Sequence, residues 1–187
     1  NLVRALAKGG SLPQRLVYIS TSGVYGDCSG EVVDETRKVM PSTDRARRRL
    51  DAERQLRAWG AENGVQVSIL RVPGIYAAER MPIARLKAGT PTLTSDQDPY
   101  TNHIHADDLA RIVIAALARG RAGRAYNATD DSWMKMGDYF DLVAEQFGMP
   151  RPPRVSWDIA SREVPEVMLS FMRESRRLTN RRLKQEL

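Results

Sequence analysis

Two short apolar runs stand out along the chain, each rich in β-branched or aromatic residues and each ending in punctuation. Leu16–Ser20 stops at Ser20-Thr21-Ser22-Gly23, and Val65–Val72 stops at Pro73-Gly74-Ile75-Tyr76. Near-continuous apolar runs of this length, bounded by Gly and Pro, are the pattern of strands covered on both faces. Between them Ala46, Leu50, Leu56 and Trp59 recur at helical spacing. That helix starts after Pro41, where Ser42, Thr43 or Asp44 offers a capping oxygen, and ends near Gly60 before the Asn63-Gly64 turn. Two buried strands joined by one helix make a βαβ unit, which requires a parallel sheet and a right-handed crossover.

The remaining elements follow from the same patterns. Asn1–Lys8 reads like the middle of a helix, Gly9–Pro13 as a turn, and Asp27–Met40 as an acidic loop. Further helices are expected at Pro82–Ala88, at Asp107–Ala118 with Leu109, Ile112, Val113, Ala116 and Leu117 in register, and at Asp138–Phe147, closed by Gly148. Asp107 and Asp108 are expected to cap and charge the start of their helix, where carboxylates meet the positive end of the dipole. Gly89–Thr101 is rich in turn residues, Arg124–Ala128 reads as a strand, Pro150–Pro153 as an extended connector, and Pro165–Leu187 as one or two helices. No internal repeat is visible.

Composition narrows the class. A chain of 187 residues with 42% apolar content is long enough for one domain with its own core. No apolar run approaches the roughly 18 residues that span a bilayer, and no leader-like segment opens the sequence. The single Cys28 leaves no intramolecular disulfide, so a reducing, cytoplasmic setting is expected. Net charge is +6, mostly from arginines at 45–57, 119–124 and 173–182 that are interleaved with Asp and Glu. Interleaved charge with few aromatics favours solvated helix faces and a site for an anionic small molecule over nucleic-acid binding.

Four segments, in order, resemble the later motifs of the extended short-chain dehydrogenases, the NAD(P)-dependent epimerases, dehydratases and reductases. They are Ser20-Thr-Ser-Gly-Val-Tyr-Gly26, Leu70-Arg-Val-Pro-Gly-Ile-Tyr76, His103-Ile-His-Ala-Asp-Asp-Leu-Ala110 and Tyr126-Asn-Ala-Thr-Asp130. The resemblance implies an α/β fold: a Rossmann-like parallel sheet, its first strands absent, with a small, mostly helical substrate-binding part. Residues 1–80 and 103–128 would form the incomplete Rossmann-like domain, and 81–102 with 129–187 the substrate-binding part. The sequence holds no G-x-x-G-x-x-G turn for a cofactor pyrophosphate. The match begins at the helix before the family's fifth strand, so about a hundred upstream residues are expected in a longer protein, and the strand at Leu16 is left with an exposed edge.

The resemblance also implies site roles. Thr21 stands at the catalytic Ser/Thr position, where a hydroxyl bonds the substrate oxygen. Glu53 resembles the glutamate four residues after the lysine of Tyr-x-x-x-Lys, which puts Arg45 at the tyrosine and Arg49 at the lysine. Arg49 keeps a cation for a nicotinamide ribose, whereas the Arg45 guanidinium stays protonated and offers no proton at neutral pH. Tyr25, Tyr76 and His103 are the substitutes to weigh, each with a structural reading beside it. Pro73 and Gly74 resemble the backbone that passes the nicotinamide, so cofactor contacts are expected from Thr21, Arg49, Pro73 and Gly74. Ser22, Tyr25, Arg80 and His103 are the expected substrate-binding residues, with Asn102, Arg176 and Arg177 as further positions without assigned roles. Arg45 and Arg49, at i and i+4, form either a solvated basic face or a pocket for a carboxylate or phosphate. His103-x-His105 has no well-spaced third ligand, so no metal site is expected.

The implied function is an NAD(P)-dependent oxidoreductase, epimerase or dehydratase. Its partners would be NAD or NADP and a small hydroxyl- or keto-bearing substrate, a sugar nucleotide or another anion, with a homodimer as the assembly to test. The alternative is a nucleotide-binding or regulatory protein that kept the fold and lost Tyr-Lys chemistry.

Overall fold

The computed structural model describes residues 2–8 and 11–187. In chain order, α1 (Leu2–Lys8) precedes β1 (Arg15–Thr21), a 3-10 turn at Ser22–Tyr25, β2 (Val32–Val33), α2 (Asp44–Asn63), β3 (Gln66–Val72) and β4 (Gly74–Tyr76). A second 3-10 turn (Ala78–Arg80), α3 (Ile83–Lys87), β5 (Thr92–Leu93), β6 (Tyr100–Thr101), β7 (His103–His105), α4 (Ala106–Arg119) and β8 (Ala125–Asn127) follow. The last third holds β9 (Met134–Lys135), α5 (Met136–Gln146), β10 (Arg154–Val155), α6 (Trp157–Glu163), α7 (Glu166–Met172), β11 (Arg177–Leu178) and α8 (Arg181–Glu186). The turn expected at Gly9-Gly10 lies outside the described residues.

The expected β1–α2–β3 unit is present. β1 pairs with β3 in parallel and β3 with β8, giving the order β1-β3-β8 with β1 at the edge among the described residues. β3 is buried from Val67 to Val72 because helices cover both faces. On one side Val67 and Ile69 pack with Leu56 and Trp59 of α2, Leu16 and Tyr18 of β1, and Val3 and Leu6 of α1. On the other, Leu70 and Val72 pack with Leu109 and Ala116 of α4 and with Tyr126. Each fully buried aliphatic side chain there contributes on the order of 2 kcal/mol.

Helix α2 starts where the sequence offered three caps. Thr43 is the one used: its side chain accepts from the Ala46 amide, and at the other end Gly64 adopts φ 67, the left-handed turn that favours glycine. The inward face holds Ala46, Leu50, Leu56 and Trp59 as expected, and also Glu53, which is fully buried.

The structure differs from the expected cap of α4 and adds elements that no pattern in the sequence marks. The start of α4 is capped by His105, whose Nδ1 accepts from the Asp107 amide, so Asp107 and Asp108 add charge to the first turn without capping it. After the Pro150–Pro153 connector the chain forms β10, pairing in parallel with β5, and then α6. The tail is two helices separated by β11, which pairs with β2 inside the expected acidic loop. Two-residue bridges and a seven-residue helix are too short to write a period into the sequence. Helix α8 returns to the sheet, where Leu183 and Leu187 pack on the cluster around Leu70 and Tyr126. The rest of the last third has its own apolar clusters, centred on Leu93 and Leu169 and on Leu86 and Phe140.

Candidate functional site

Strand register sets the site. Thr21 lies beside Val72, so the carboxyl ends of β1 and β3 emerge together at Thr21-Ser22-Gly23 and Pro73-Gly74. Both segments line a cavity of about 300 Å³. Its other walls come from Arg45 and Ala46 at the start of α2, Arg85 of α3, Tyr100–His103, and Met136, Tyr139 and Phe140 of α5, with Phe171, Glu174 and Arg176 closing the far side. Open α/β sheets place ligands at this end of the strands.

Within the cavity Thr21 caps the 3-10 turn: its Oγ1 accepts from the Gly23 amide at 3.2 Å, which leaves the hydroxyl proton to donate. Ser22 is buried beside it. Gly74 pairs with His103, and a Cβ on Gly74 would lie 3.1 Å from the His103 ring, tighter than an ordinary contact. His103 is 8% exposed and stacks on Tyr139, ring centroids 4.0 Å apart. Burial pulls its protonation below the ordinary range, against a smaller pull upward from Asp130, so the imidazole is neutral at pH 7.

Cations surround this space. The Arg45 guanidinium lies 4.4 Å over the ring of Phe171, and that of Arg85 lies 4.1 Å over Phe140. Arg176 donates to the Gly26 carbonyl at 2.6 Å and pairs with Glu174 at 2.9 Å. The Nε atoms of Arg85 and Arg176 are buried without a hydrogen-bond partner, and desolvation pulls the Arg85 guanidinium below its usual range.

Of the expected site residues, Thr21, Ser22, Arg45, Pro73, Gly74 and His103 come together in this cavity. Arg49, Tyr25 and Arg80 do not line it. Arg49 parts from Arg45 despite the i, i+4 spacing and donates from the helix surface to the Tyr18 hydroxyl on edge strand β1 at 3.2 Å. Tyr25 is buried in the core: its hydroxyl donates to Asn127 Oδ1 at 2.8 Å and accepts from Arg71 at 3.0 Å, which consumes the polar end it would need for a substrate. Arg80 is exposed on the 3-10 turn Ala78–Arg80. Asn102 uses its side chain to hold the chain at Arg176 and Leu178. Arg85, Tyr139 and Phe171 had no sequence signal, since only long-range packing brings them to the strand ends. For Arg176 the Arg176-Arg177 pair was the signal. Elsewhere many arginines pair locally, as Arg37–Glu31, Arg47–Asp44, Arg111–Asp108 and Arg173–Glu166 do. No helix among the described residues is long and apolar enough to cross a membrane.

The chain is similar to known proteins. The curated protein YeeZ of Escherichia coli K12 is 27% identical over 140 residues, which is 74% of this chain and 48% of YeeZ, so the chain spans about half the length of the curated relatives it matches. A functionally unknown conserved protein from Silicibacter pomeroyi DSS is 32% identical with a TM-score of 0.83, covering 99% of this chain and 62% of that one. A dTDP-glucose 4,6-dehydratase double mutant, DesIV from Streptomyces venezuelae with NAD and DAU bound, is 21% identical with a TM-score of 0.77, covering 100% of this chain and 57% of that one. RMD from Pseudomonas aeruginosa complexed with NADPH is 20% identical with a TM-score of 0.75, covering 99% of this chain and 63% of that one. At such identities these last two likenesses show the fold, a Rossmann-like α/β sheet. The family model described as "NAD dependent epimerase/dehydratase family" matches residues 1–129, and the chain belongs to that family.

Proposed function

We propose that this chain carries the substrate side and the nicotinamide end of an NAD(P)-dependent epimerase, dehydratase or reductase. Its substrate is a small hydroxyl- or keto-bearing molecule with an anionic group, a sugar nucleotide being the class the relatives suggest. The observation that carries the reading is one cavity at the strand ends that gathers Thr21, the Pro73-Gly74 backbone and the cations Arg45, Arg85 and Arg176. A guanidinium fork suits a carboxylate or phosphate.

The residues present fit one end of a dinucleotide. A Cβ on Gly74 would crowd the His103 ring at 3.1 Å, and with glycine there the main chain itself borders the cavity, as a flat ring packing on backbone requires. A bound nicotinamide would supply hydride acceptance and return. Thr21 would donate to the reacting oxygen, Pro73 and Gly74 would pack beside the ring, and Arg49, on the surface of α2 beside β1, would face the ribose. In this reading 1–80 and 103–128 serve the cofactor, and 81–102 with 129–187 serve the substrate.

Titration of the full-length protein with NADH and NADPH, followed by assay against a panel of sugar nucleotides and hydroxy acids, tests it. Failure to bind either cofactor overturns the reading. Cofactor binding with no turnover favours the second reading, a nucleotide-binding or regulatory protein, for which Arg45 in place of the proton-handling tyrosine is the supporting observation.

A further inference from the structure

The helix that should carry a proton-handling tyrosine carries Arg45, and Tyr25 spends its hydroxyl in the core. A proton-transfer group must therefore come from elsewhere on the cavity wall. His103 is the side chain whose circumstances ask for an explanation. It is 8% exposed and lines the cavity, yet neither ring nitrogen hydrogen-bonds to the described protein and neither is sealed off. A ring nitrogen on a cavity wall that no protein group engages is open to a ligand. The ring is also held in place: Tyr139 stacks on one face with planes 23° apart, and Tyr76 meets it edge-on at 6.4 Å. On the backbone side His103 pairs with Gly74.

We propose that His103 is the general acid-base of this site, exchanging the proton of the substrate hydroxyl beside Thr21. The inference rests on the cofactor reading above and names the residue that reading lacks. In the oxidative direction the substrate O–H bond breaks and its proton goes to a His103 ring nitrogen. The carbon-bound hydrogen leaves with its electron pair for the oxidised nicotinamide, and a C=O bond forms. Reduction is the reverse, with imidazolium returning the proton. A neutral imidazole near pH 7 is a competent acceptor, which a guanidinium is not. Thr21, Pro73 and Gly74 line the same cavity as His103, so Thr21 would hydrogen-bond the same oxygen and the Pro73-Gly74 backbone would border a bound ring.

Among the charged groups Asp130 favours imidazolium, while Glu174, Arg45, Arg85 and Arg176 line the same cavity. Tyr76 and Tyr139 remain neutral near pH 7, their ionisation pushed up by burial.

The test uses the full-length protein. The ring titration of His103, assigned with His103→Gln, is followed by NMR with NAD+ and with NADH. Only the oxidised ring is cationic, so His103 is expected to protonate at lower pH in the NAD+ complex, and identical curves overturn the proposal. With a turned-over substrate, His103→Gln is expected to lose about a hundredfold or more of turnover. It should keep NADH affinity within about twofold and lose the acidic limb of the kcat/KM profile. Turnover within about threefold of wild type, or an acidic limb that survives in His103→Gln, overturns the assignment while leaving the cofactor reading standing. A wild-type protein that binds neither NADH nor NADPH overturns both.

Discussion

Glu53 and Arg71 meet 2.9 Å apart beneath the strand ends, with the carboxylate fully buried. Ser20 donates to the same carboxylate at 2.6 Å, and Arg71 also donates to Tyr25, which donates to Asn127. One carboxylate on α2 thus ties together β1, β3 and, through the tyrosine, β8, directly below Thr21. A buried ion pair adds little when compared with apolar residues, but losing one partner strands the other.

Glu53→Ala is accordingly expected to lower unfolding free energy by about 3–5 kcal/mol, with Arg71→Met costing a similar amount. Urea denaturation of both single variants and the double variant measures this. The double variant should be less destabilised than the sum of the singles, because the Glu53 and Arg71 charges leave together and only the partly exposed Arg57, 3.9 Å from Glu53, loses a partner. Additive losses would show that the two groups act independently.

Thr21 has a structural and a proposed catalytic part that can be separated. Thr21→Ala removes the cap on the 3-10 turn, costing about 1 kcal/mol of stability, and should lower turnover by about a hundredfold through loss of the donor. Thr21→Ser should restore both. Thermal melts report the first effect and steady-state rates the second, and unchanged rates in Thr21→Ala would remove the catalytic role.

Arg49 lies outside the cavity, on the helix surface beside edge strand β1. If it holds a cofactor ribose, Arg49→Ala should weaken NADH or NADPH binding about tenfold, the range for one hydrogen bond to a charged group. Stability should move by less than about 0.5 kcal/mol, as for other exposed positions. Fluorescence titration and denaturation together decide between this role and an idle surface contact.

His103 should also leave a mark on stability. Burial holds its folded-state protonation below that of the unfolded chain, so the unfolded state binds the extra proton. Its contribution is complete above about pH 6.5 and is lost as pH falls through the lowered folded-state value. Urea midpoints at pH 7.5 and pH 5 should therefore fall further for wild type than for His103→Phe. An equal fall in both would show that the ring is solvated.

By itself the sequence determined the β1–α2–β3 unit, the capping region at Ser42–Asp44, and the strand-end position of Thr21, Pro73 and Gly74. Local periodicity and local hydrogen bonding decide such features, so a single segment contains the information. The resemblance to the family further implied that Arg45 and Arg49 stand where a Tyr-Lys pair is expected. Tertiary structure alone decided where side chains go once elements pack. Arg45 and Arg49 share a helix face, yet one reaches Phe171 and the other Tyr18, because long flexible side chains take whichever partner the fold presents. Tyr25, four residues beyond Thr21, turns inward to Asn127 and Arg71, while Tyr139 and Arg85 arrive from distant helices to complete the cavity. No local pattern encodes those meetings. They follow from the strand register and from apolar clusters that pin α3, α5 and α7 around the carboxyl end of the sheet.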